Sequence, residues 1–328
     1  MSVSDAERWA QTRTFHHSLY SSAVIAAARA RLGLGVSVCL PARECAGTVG
    51  EILAALAPLR DGGAIDEVVV IDAASADGTA AIAERAGADG VYQEAELMPE
   101  LGRVLGKGDA MYRALSVLAG EIVCYLDADT AGFSAHYATG LIGPLVCDGL
   151  PADDALADDA LAGERPADGV REEERDAGEI AFVKAFYRRP FEHGGVSLPE
   201  GGGRVNHLLA RPALELFYPA LSAVAQPLAG EVAARRELLE RVPFATGYGV
   251  EIGMLIDAWR AVGLDGIAQV DLDEHRNRHQ PLAALAPMAR TVLATIARRA
   301  QAEGRLAGVE IAEPAIERPP LAGALARR

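Results

Sequence analysis

The feature that most limits how this chain can fold is a regular alternation of short apolar runs and helix-like segments between Val36 and Leu126. The runs Val36–Leu40, Glu67–Ile71 and Glu121–Leu126 have the length and composition of buried strands, and Gly90–Gln93 is a shorter candidate. Because strands that alternate with helices build parallel sheets from βαβ units, the pattern predicts an α/β fold. The intervening helical segments are Thr48–Leu59, Thr79–Ala86 and Asp109–Ala119.

Composition divides the chain into five predicted parts. They are a helical lead-in (1–35), the strand–helix half (36–147), an acidic insertion (148–179), a second and more helical half (180–301) and a loosely ordered tail (302–328). Eleven acidic and three basic residues lie between Pro151 and Glu179, which favours a mobile, solvated surface insertion. In the second half the predicted elements are a strand at Ile180–Tyr187, helices at Asn206–Phe217, Glu231–Glu240 and Glu251–Val262, a strand at Gly266–Leu272 and a helix at Pro281–Gln301.

Charge and cysteine usage narrow the class of protein. A net charge of −15 argues against nucleic acid or an anionic membrane as the main partner. No run reaches the roughly 18 to 20 apolar residues that a membrane span needs, and no secretory signal pattern is visible. Cys39, Cys45, Cys124 and Cys147 show no C-x-x-C spacing and are expected to be reduced and mostly buried. These features together predict a cytoplasmic protein.

Two carboxylates follow the last strand of the alternation, as Asp127-Ala128-Asp129. Ligands of α/β proteins bind at the carboxyl ends of strands, and a pair of aspartates there can hold a divalent cation against a phosphate. Acidic pairs also commonly cap strands and helices, so the spacing alone leaves both interpretations open.

Lysine is rare in this chain, since only Lys107 and Lys184 occur among 31 basic residues. Lys107 lies in Gly106-Lys107-Gly108-Asp109, where flanking glycines would let the backbone approach a ligand and the ammonium meet a diphosphate. The alternative is a turn with a helix-capping Asp109, which leaves the lysine unexplained.

A polar turn, Asp72–Thr79, follows the second predicted strand. Such turns at helix starts can receive a nucleoside or phosphate, and Asp72 is a candidate partner of uracil or ribose. Ser75 or Asp77 would alternatively serve as a helix N-cap. Neither G-x-G-x-x-G nor a Walker motif is present, which weakens dinucleotide and P-loop interpretations.

The ordered series of motifs resembles the glucosyl-3-phosphoglycerate synthase family of retaining GT-A glycosyltransferases, which also includes members that use GDP-mannose. In the second half the resemblance is carried by Phe182–Pro190, Gly201–Asn206, Gln226–Glu231, Pro243–Gly253 and His275–Arg278. It implies a Rossmann-like GT-A fold with a mostly parallel central sheet. Residues 36–147 would bind the nucleotide-sugar, and the more helical residues 180–301 would bind the acceptor.

The resemblance also implies roles for particular residues. Asp129 and His275 would bind Mg²⁺ or Mn²⁺, and Asp127 would contact the donor ribose or a metal-bound water. Asp129, Lys107 and Glu251 would be the catalytic residues. The acceptor's phosphate and carboxylate would meet Gly203, Arg204 and Asn206. The donor site would be formed by Pro41, Ala42, Glu44, Asp72, Lys107, Asp127, Ala128, Leu228, Gly230 and Tyr248.

The implied activity is hexosyl transfer from a nucleoside diphosphate sugar to the C2 hydroxyl of 3-phosphoglycerate, by a homodimer joined through the C-terminal helix. Glu251 would either act as a nucleophile or only orient the sugar. The alternative to attack by Glu251 is front-face attack by the acceptor hydroxyl. UDP-glucose, GDP-glucose and GDP-mannose all stay open as donors. Glu44-Cys45 stands where the family usually has Asn-Glu, and Asn206 stands where it has Thr. A nucleotidyltransferase and a non-catalytic sugar-nucleotide-binding module are the competing functions.

Overall fold

The computed structural model describes residues 3–147, 179–193, 196–198, 202–275, 281–311 and 316–322. In chain order the strands are β1 (Thr14–His16), β2 (Val36–Ala42), β3 (Glu67–Asp72), β4 (Gly90–Gln93), β5 (Ile122–Tyr125), β6 (Phe182–Arg188), β7 (Phe191–His193), β8 (Val196–Leu198), β9 (Val232–Arg235), β10 (Phe244–Ala245), β11 (Ile267–Glu274) and β12 (Glu317–Arg318). Eight of them form one sheet in the spatial order β1-β11-β6-β9-β5-β2-β3-β4, while β7 pairs with β8 and β10 with β12.

Helices pack on this sheet and between its connections. They are α1 (Val3–Thr12), α2 (Ser22–Leu32), α3 (Val49–Asp61), α4 (Thr79–Arg85), α5 (Lys107–Ala114), α6 (His136–Cys147), α7 (Arg211–Phe217), α8 (Arg236–Arg241), α9 (Val250–Val262) and α10 (Leu282–Ala302). A π-helical turn, Asn206–Ala210, leads directly into α7. Within the described ranges no helix combines the length and apolar character needed to cross a bilayer.

The sheet is mostly parallel, as the alternation predicts. Strands β2, β3, β4 and β5 run parallel to their neighbours in this group, and so do β1, β6 and β11 in theirs. Only β9 is antiparallel, and it joins the two groups between β5 and β6. Alternate residues of β2 and β5, such as Cys39 and Val38, belong to two different apolar clusters, so both faces of the sheet are covered. The carboxyl ends of β2, β3 and β5 therefore meet at one edge.

Two secondary-structure predictions were wrong. The segment predicted as a helix over Glu231–Glu240 begins as β9, and only Arg236–Arg241 is helical. Its apolar start, Val232, lies in the interior of the sheet, where hydrogen bonds to strands on both sides override the helical pattern. The lead-in is not wholly helical either, because Thr14–His16 adds an edge strand beside β11.

The expectation of a loosely ordered tail is also wrong where the tail is described. Arg318 is buried and donates hydrogen bonds of 2.7 and 2.6 Å to the two carboxylate oxygens of Asp109, at the start of α5. Arg299 of α10 donates to Glu317 at 2.8 Å. The predicted acidic insertion, 148–179, lies outside the described part of the chain except for its last residue, Glu179.

Candidate active site

A cavity of about 800 Å³ opens where β2 and β5 end. It brings most of the predicted site residues together from both halves of the chain. These lining residues are Pro41, Ala42, Lys107, Asp127, Ala128, Asp129, Gly203, Arg204, Asn206, Leu228, Gly230, Tyr248 and Glu251. Glu44, Asp72 and His275 are the predicted site residues that do not line it.

The Gly-Lys-Gly motif has a geometric cause. Gly106 has φ of 85°, a left-handed conformation that side chains rarely adopt, and α5 begins directly after it at Lys107. A Cβ on Gly108 would lie 2.1 Å from the carbonyl oxygen of Ala245, so only glycine fits there. The two glycines thus allow the tight entry into α5 that turns Lys107 toward the cavity.

Lys107 joins two carboxylates that are distant in sequence. Its Nζ lies 2.5 Å from Asp127 Oδ1 and 3.1 Å from Glu251 Oε1. Burial alone would lower the pKa of this ammonium, yet the two carboxylates raise it. Burial likewise opposes the charge of Asp127, but Lys107 holds the pKa of Asp127 below its usual value. One positive and two negative charges leave this cluster with a net charge of −1.

The two aspartates of the D-x-D differ in their environment. Burial and the neighbouring charge of Asp127 raise the pKa of Asp129 above its ordinary value. A nearby cation would offset both effects, as it would favour the charged carboxylate. Asp129 is therefore suited to bind a divalent cation directly, whereas Asp127 already has a cationic partner in Lys107.

His275 lies beyond the end of β11 and is buried. Among the described residues neither of its ring nitrogens has a hydrogen-bond partner, and Glu231 Oε1, 3.6 Å from Nδ1, also lacks one. The ring stacks on Tyr187 at a centroid distance of 4.5 Å, and the Tyr187 hydroxyl donates to Glu231 Oε2 at 2.7 Å. A buried imidazole with unsatisfied nitrogens suits a divalent cation that accepts both nitrogen and oxygen ligands.

Tyr187 and Glu231 were missed by sequence reasoning as members of the site. The available signal was their position in the motifs Phe182–Pro190 and Gln226–Glu231. Arg189, in the first of these motifs, lines the cavity. Its guanidinium lies 5.0 Å from the centre of the Tyr187 ring and donates to the Tyr187 hydroxyl at 3.1 Å.

Asp72, at the end of β3, and Asp77, in the turn that follows, have different hydrogen-bond partners. Asp77 accepts hydrogen bonds from the backbone N–H and the hydroxyl of Thr79, the first residue of α4. The N-cap itself is Gly78, so the prediction of Ser75 or Asp77 as the N-cap is wrong. Asp72 is buried; its Oδ2 accepts from Ser75 N and from Gln93 Nε2, while Oδ1 has no partner in the described structure. An unsatisfied acceptor at this position suits an N–H or O–H donor of a nucleoside.

The expectation that Glu44 faces the donor is not met by its geometry. Glu44 has a left-handed φ of 55°, and its Oε1 accepts a hydrogen bond from Ala76 N. This backbone conformation turns the side chain onto the Asp72–Thr79 turn, which it stabilises. Its neighbours Arg43 and Cys45 line the cavity instead.

The predicted acceptor loop also lines the cavity. Gly203 has φ of 68°, which favours glycine, and Arg204 follows it on the cavity wall. Asn206 is buried, donates to Ala225 O at 3.4 Å and accepts from Leu228 N at 3.4 Å. The side chain of Asn206 thus connects the acceptor loop to the Ala225–Leu228 segment.

Lys184, the second lysine, contacts the backbone of Ala229, which also lines the cavity. Its buried Nζ donates to Ala229 O at 2.5 Å, and burial lowers the pKa of Lys184 to about 8. The next residue, Gly230, contacts Asp127 so closely that a Cβ would lie 2.2 Å from Asp127 Oδ2. Lys184 and Gly230 therefore determine how closely this backbone approaches the carboxylate.

The chain is similar to known glycosyltransferases. Residues 37–131 match the model of glycosyl transferase family 2. A glucosyl-3-phosphoglycerate synthase of Mycolicibacterium smegmatis is 40% identical over 293 residues, which cover 89% of this chain and 86% of that protein.

Two solved structures extend the similarity to the whole fold. A mannosyl-3-phosphoglycerate synthase from Rubrobacter xylanophilus is 39% identical with a TM-score of 0.80, over 97% of this chain and 98% of that one. A glucosyl-3-phosphoglycerate synthase from Mycobacterium tuberculosis, solved with Mn²⁺, UDP-glucose and phosphoglyceric acid, is 35% identical with a TM-score of 0.71, over 92% and 94% of the two chains.

Fold and cavity together define a glycosyltransferase of the GT-A class, in which the parallel strands present the D-x-D at the sheet edge. Within that class the chain belongs to the glucosyl-3-phosphoglycerate synthase family.

Proposed function

We propose that this protein transfers a hexose, glucose or mannose, from a nucleoside diphosphate sugar to the C2 hydroxyl of 3-phosphoglycerate with retention of anomeric configuration. The observation that carries the proposal is the convergence of two distant halves in one cavity. Lys107 and the D-x-D line this cavity, and so does the loop Gly203–Asn206. The family relationship supplies the substrate class.

On the donor side, Lys107 binds the diphosphate. An ammonium has three donors, and Asp127 and Glu251 engage two of them, so one N–H is left for a phosphate oxygen. Pro41 and Ala42 line the nucleoside end of the cavity. The unsatisfied Oδ1 of Asp72 receives a donor group of the base or ribose after a small shift of the turn.

Asp129 and His275 hold the divalent cation, with the remaining ligands supplied by the donor diphosphate. The unsatisfied ring nitrogens of His275 and the raised pKa of Asp129 support this pair. When bound, the cation neutralises charge that develops on the leaving diphosphate. The imidazole favours Mn²⁺ over Mg²⁺, which agrees with the Mn²⁺ in the related M. tuberculosis complex.

On the acceptor side, Arg204 and the backbone at Gly203 bind the phosphate and carboxylate of 3-phosphoglycerate. A bond forms between the C2 oxygen and the anomeric carbon as the bond from that carbon to the diphosphate oxygen breaks. The hydroxyl proton passes to the departing phosphate oxygen, on the same face of the sugar. Glu251 is held by Lys107, so we assign it to orient the sugar hydroxyls rather than to attack.

A homodimer and a cytoplasmic location complete the proposal. The amphipathic helix α10 presents Leu282 and Leu293 to solvent, which supports a contact between two copies. The described cysteines are all free, and three of them are buried, which favours a reducing compartment. Sedimentation as a monomer at micromolar concentration would contradict the dimer.

The test is nucleoside diphosphate release from UDP-glucose, GDP-glucose and GDP-mannose, each with and without 3-phosphoglycerate and Mn²⁺. We expect release from at least one donor that depends on the acceptor and is abolished by Asp129→Ala. Asp61→Asn, an exposed carboxylate on α3, is the matched control and should retain full activity. Near-normal activity of Asp129→Ala would refute the metal assignment. In a parallel assay with added pyrophosphate, formation of a nucleoside triphosphate and a sugar 1-phosphate instead would favour a nucleotidyltransferase.

A further inference from the structure

A second group of metal-ligating side chains lies where β1 meets the end of β11. One ligand atom each from His16, His17 and Asp273 lies within 4.8 Å of the others. His17 Nε2 is 2.7 Å from Asp273 Oδ2, and His16 Nε2 is 3.4 Å from Asp273 Oδ1. None of the three lines the catalytic cavity, so this His-His-Asp cluster is distinct from the donor and acceptor sites.

The backbone is shaped to bring the carboxylate to the two histidines. Parallel pairing sets His16 opposite Asp271, and the register of β11 shifts between Asp271 and Glu274. Within that shift Asp273 has φ of 66°, a left-handed conformation that is uncommon outside glycine. Its N–H donates to Asp271 Oδ1 at 2.9 Å, which holds the turn. Strained backbone of this kind concentrates at ligand sites.

The two imidazoles are also held in place. His16 Nδ1 accepts a hydrogen bond from the Ser18 N–H at 3.2 Å and lies 2.7 Å from the Ser18 hydroxyl, which directs Nε2 toward Asp273. The His17 ring packs on the His136 ring with 4.2 Å between centroids. A Cβ on Gly140 of α6 would lie 2.9 Å from His17 Cβ, so the helix approaches closely enough to support that ring. These contacts hold both rings with Nε2 facing Asp273.

We propose that the His-His-Asp cluster binds a divalent transition-metal cation of the Zn²⁺ type, with water in the remaining coordination positions. Two imidazole nitrogens and one carboxylate oxygen are a donor set that Zn²⁺ accepts, and the half-exposed side chains of His16 and Asp273 give a cation access. The bound cation ties the edge strand β1 to the end of β11, two residues before His275. The proposal does not depend on the sugar or acceptor assigned above.

The experiment is equilibrium dialysis of the full-length protein against Zn²⁺ alone, with metal analysis and no substrates present. We expect His17→Ala and Asp273→Asn each to lose one equivalent of bound Zn²⁺, or to bind it at least about tenfold more weakly. Asp129→Asn retains that equivalent, and the surface variant Asp61→Asn retains all bound metal. Unchanged Zn²⁺ stoichiometry and affinity in both cluster variants would overturn the proposal.

Circular dichroism checks that each variant is folded, and a milder variant serves as a further control. His16 is more exposed than His17, so His16→Ala should fold normally and still lose the equivalent. A second readout is thermal: Zn²⁺ should raise the melting temperature of the parent protein by more than that of His16→Ala, because the variant keeps only the cation site at Asp129 and His275. An equal thermal shift in both proteins would also contradict a cation at this cluster.

Discussion

Replacing Lys107 by Met removes the ammonium between Asp127 and Glu251 while keeping an unbranched side chain of similar length. At the observed separations of 2.5 and 3.1 Å and an effective dielectric constant of about 20, each attraction is worth about 5–7 kcal/mol before desolvation is subtracted. Because all three side chains keep some contact with solvent, we expect a net loss of about 2–3 kcal/mol in the free energy of unfolding.

The same change should reduce catalysis more strongly than it reduces stability. Losing one positioned cationic donor at a developing phosphate charge typically lowers kcat by about 10²–10³-fold. Steady-state release of nucleoside diphosphate at saturating substrates measures this loss, and urea denaturation measures stability. Lys107→Arg is the matched control, which retains the charge and most of the stability.

A double-mutant cycle identifies the cause. In Lys107→Met/Glu251→Gln the second substitution removes the Glu251 carboxylate that Lys107→Met leaves without a cation. The double variant should therefore be more stable than the sum of the two single losses predicts. Strict additivity, or a Lys107→Met variant with parental stability and more than half of the parental kcat, would refute the reasoning.

Three further changes test the supports of the site. Gly230→Ala places a Cβ 2.2 Å from Asp127 Oδ2, so kcat/KM should fall by about 10²-fold with the fold intact by circular dichroism; an active variant would contradict the close contact. Arg318→Ala removes two hydrogen bonds from buried Asp109 and should cost about 2–3 kcal/mol in urea denaturation, since Arg113 remains as a partner. Although burial opposes it, arginine pairing holds the pKa of Asp109 below its ordinary value, so this contribution exists above the unfolded pKa and fades below about pH 4; a pH-independent difference would contradict it. The folded Lys184, with its pKa lowered by burial to about 8, binds fewer protons than the unfolded one between about pH 8 and 10. The free energy of unfolding of the parent should therefore rise across that range relative to Lys184→Met, and parallel stability profiles would count against a buried, weakly basic lysine.

The strand–helix half was predictable because its signals are local. Gly90–Gln93 is a strand with the predicted bounds, and β2, β3 and β5 differ from their predicted bounds by one or two residues. The left-handed φ of Gly106 is also a local cause, whereas Gly108 is required by the carbonyl oxygen of Ala245, which is distant in sequence. Motif order then pointed to the family that the relatives confirm.

What sequence reasoning missed depends on distant contacts. Val232–Arg235 becomes a strand only because it has neighbours on both sides, and Thr14–His16 is too short and polar to be recognised alone. Arg318 and Asp109 are 209 residues apart, so their ion pair leaves no local pattern. The orientation of Glu44 follows from a positive φ at a non-glycine residue, which no local sequence pattern predicts.

The central claim is that one cavity joins a donor hexose to 3-phosphoglycerate. The most direct measurement is the stoichiometry of product and leaving group, with the product's linkage read by nuclear magnetic resonance. The account predicts one hexosyl-3-phosphoglycerate, linked through the C2 oxygen with the donor's anomeric configuration, for each nucleoside diphosphate released. Free hexose in place of the glycoside, or an inverted linkage, would contradict it.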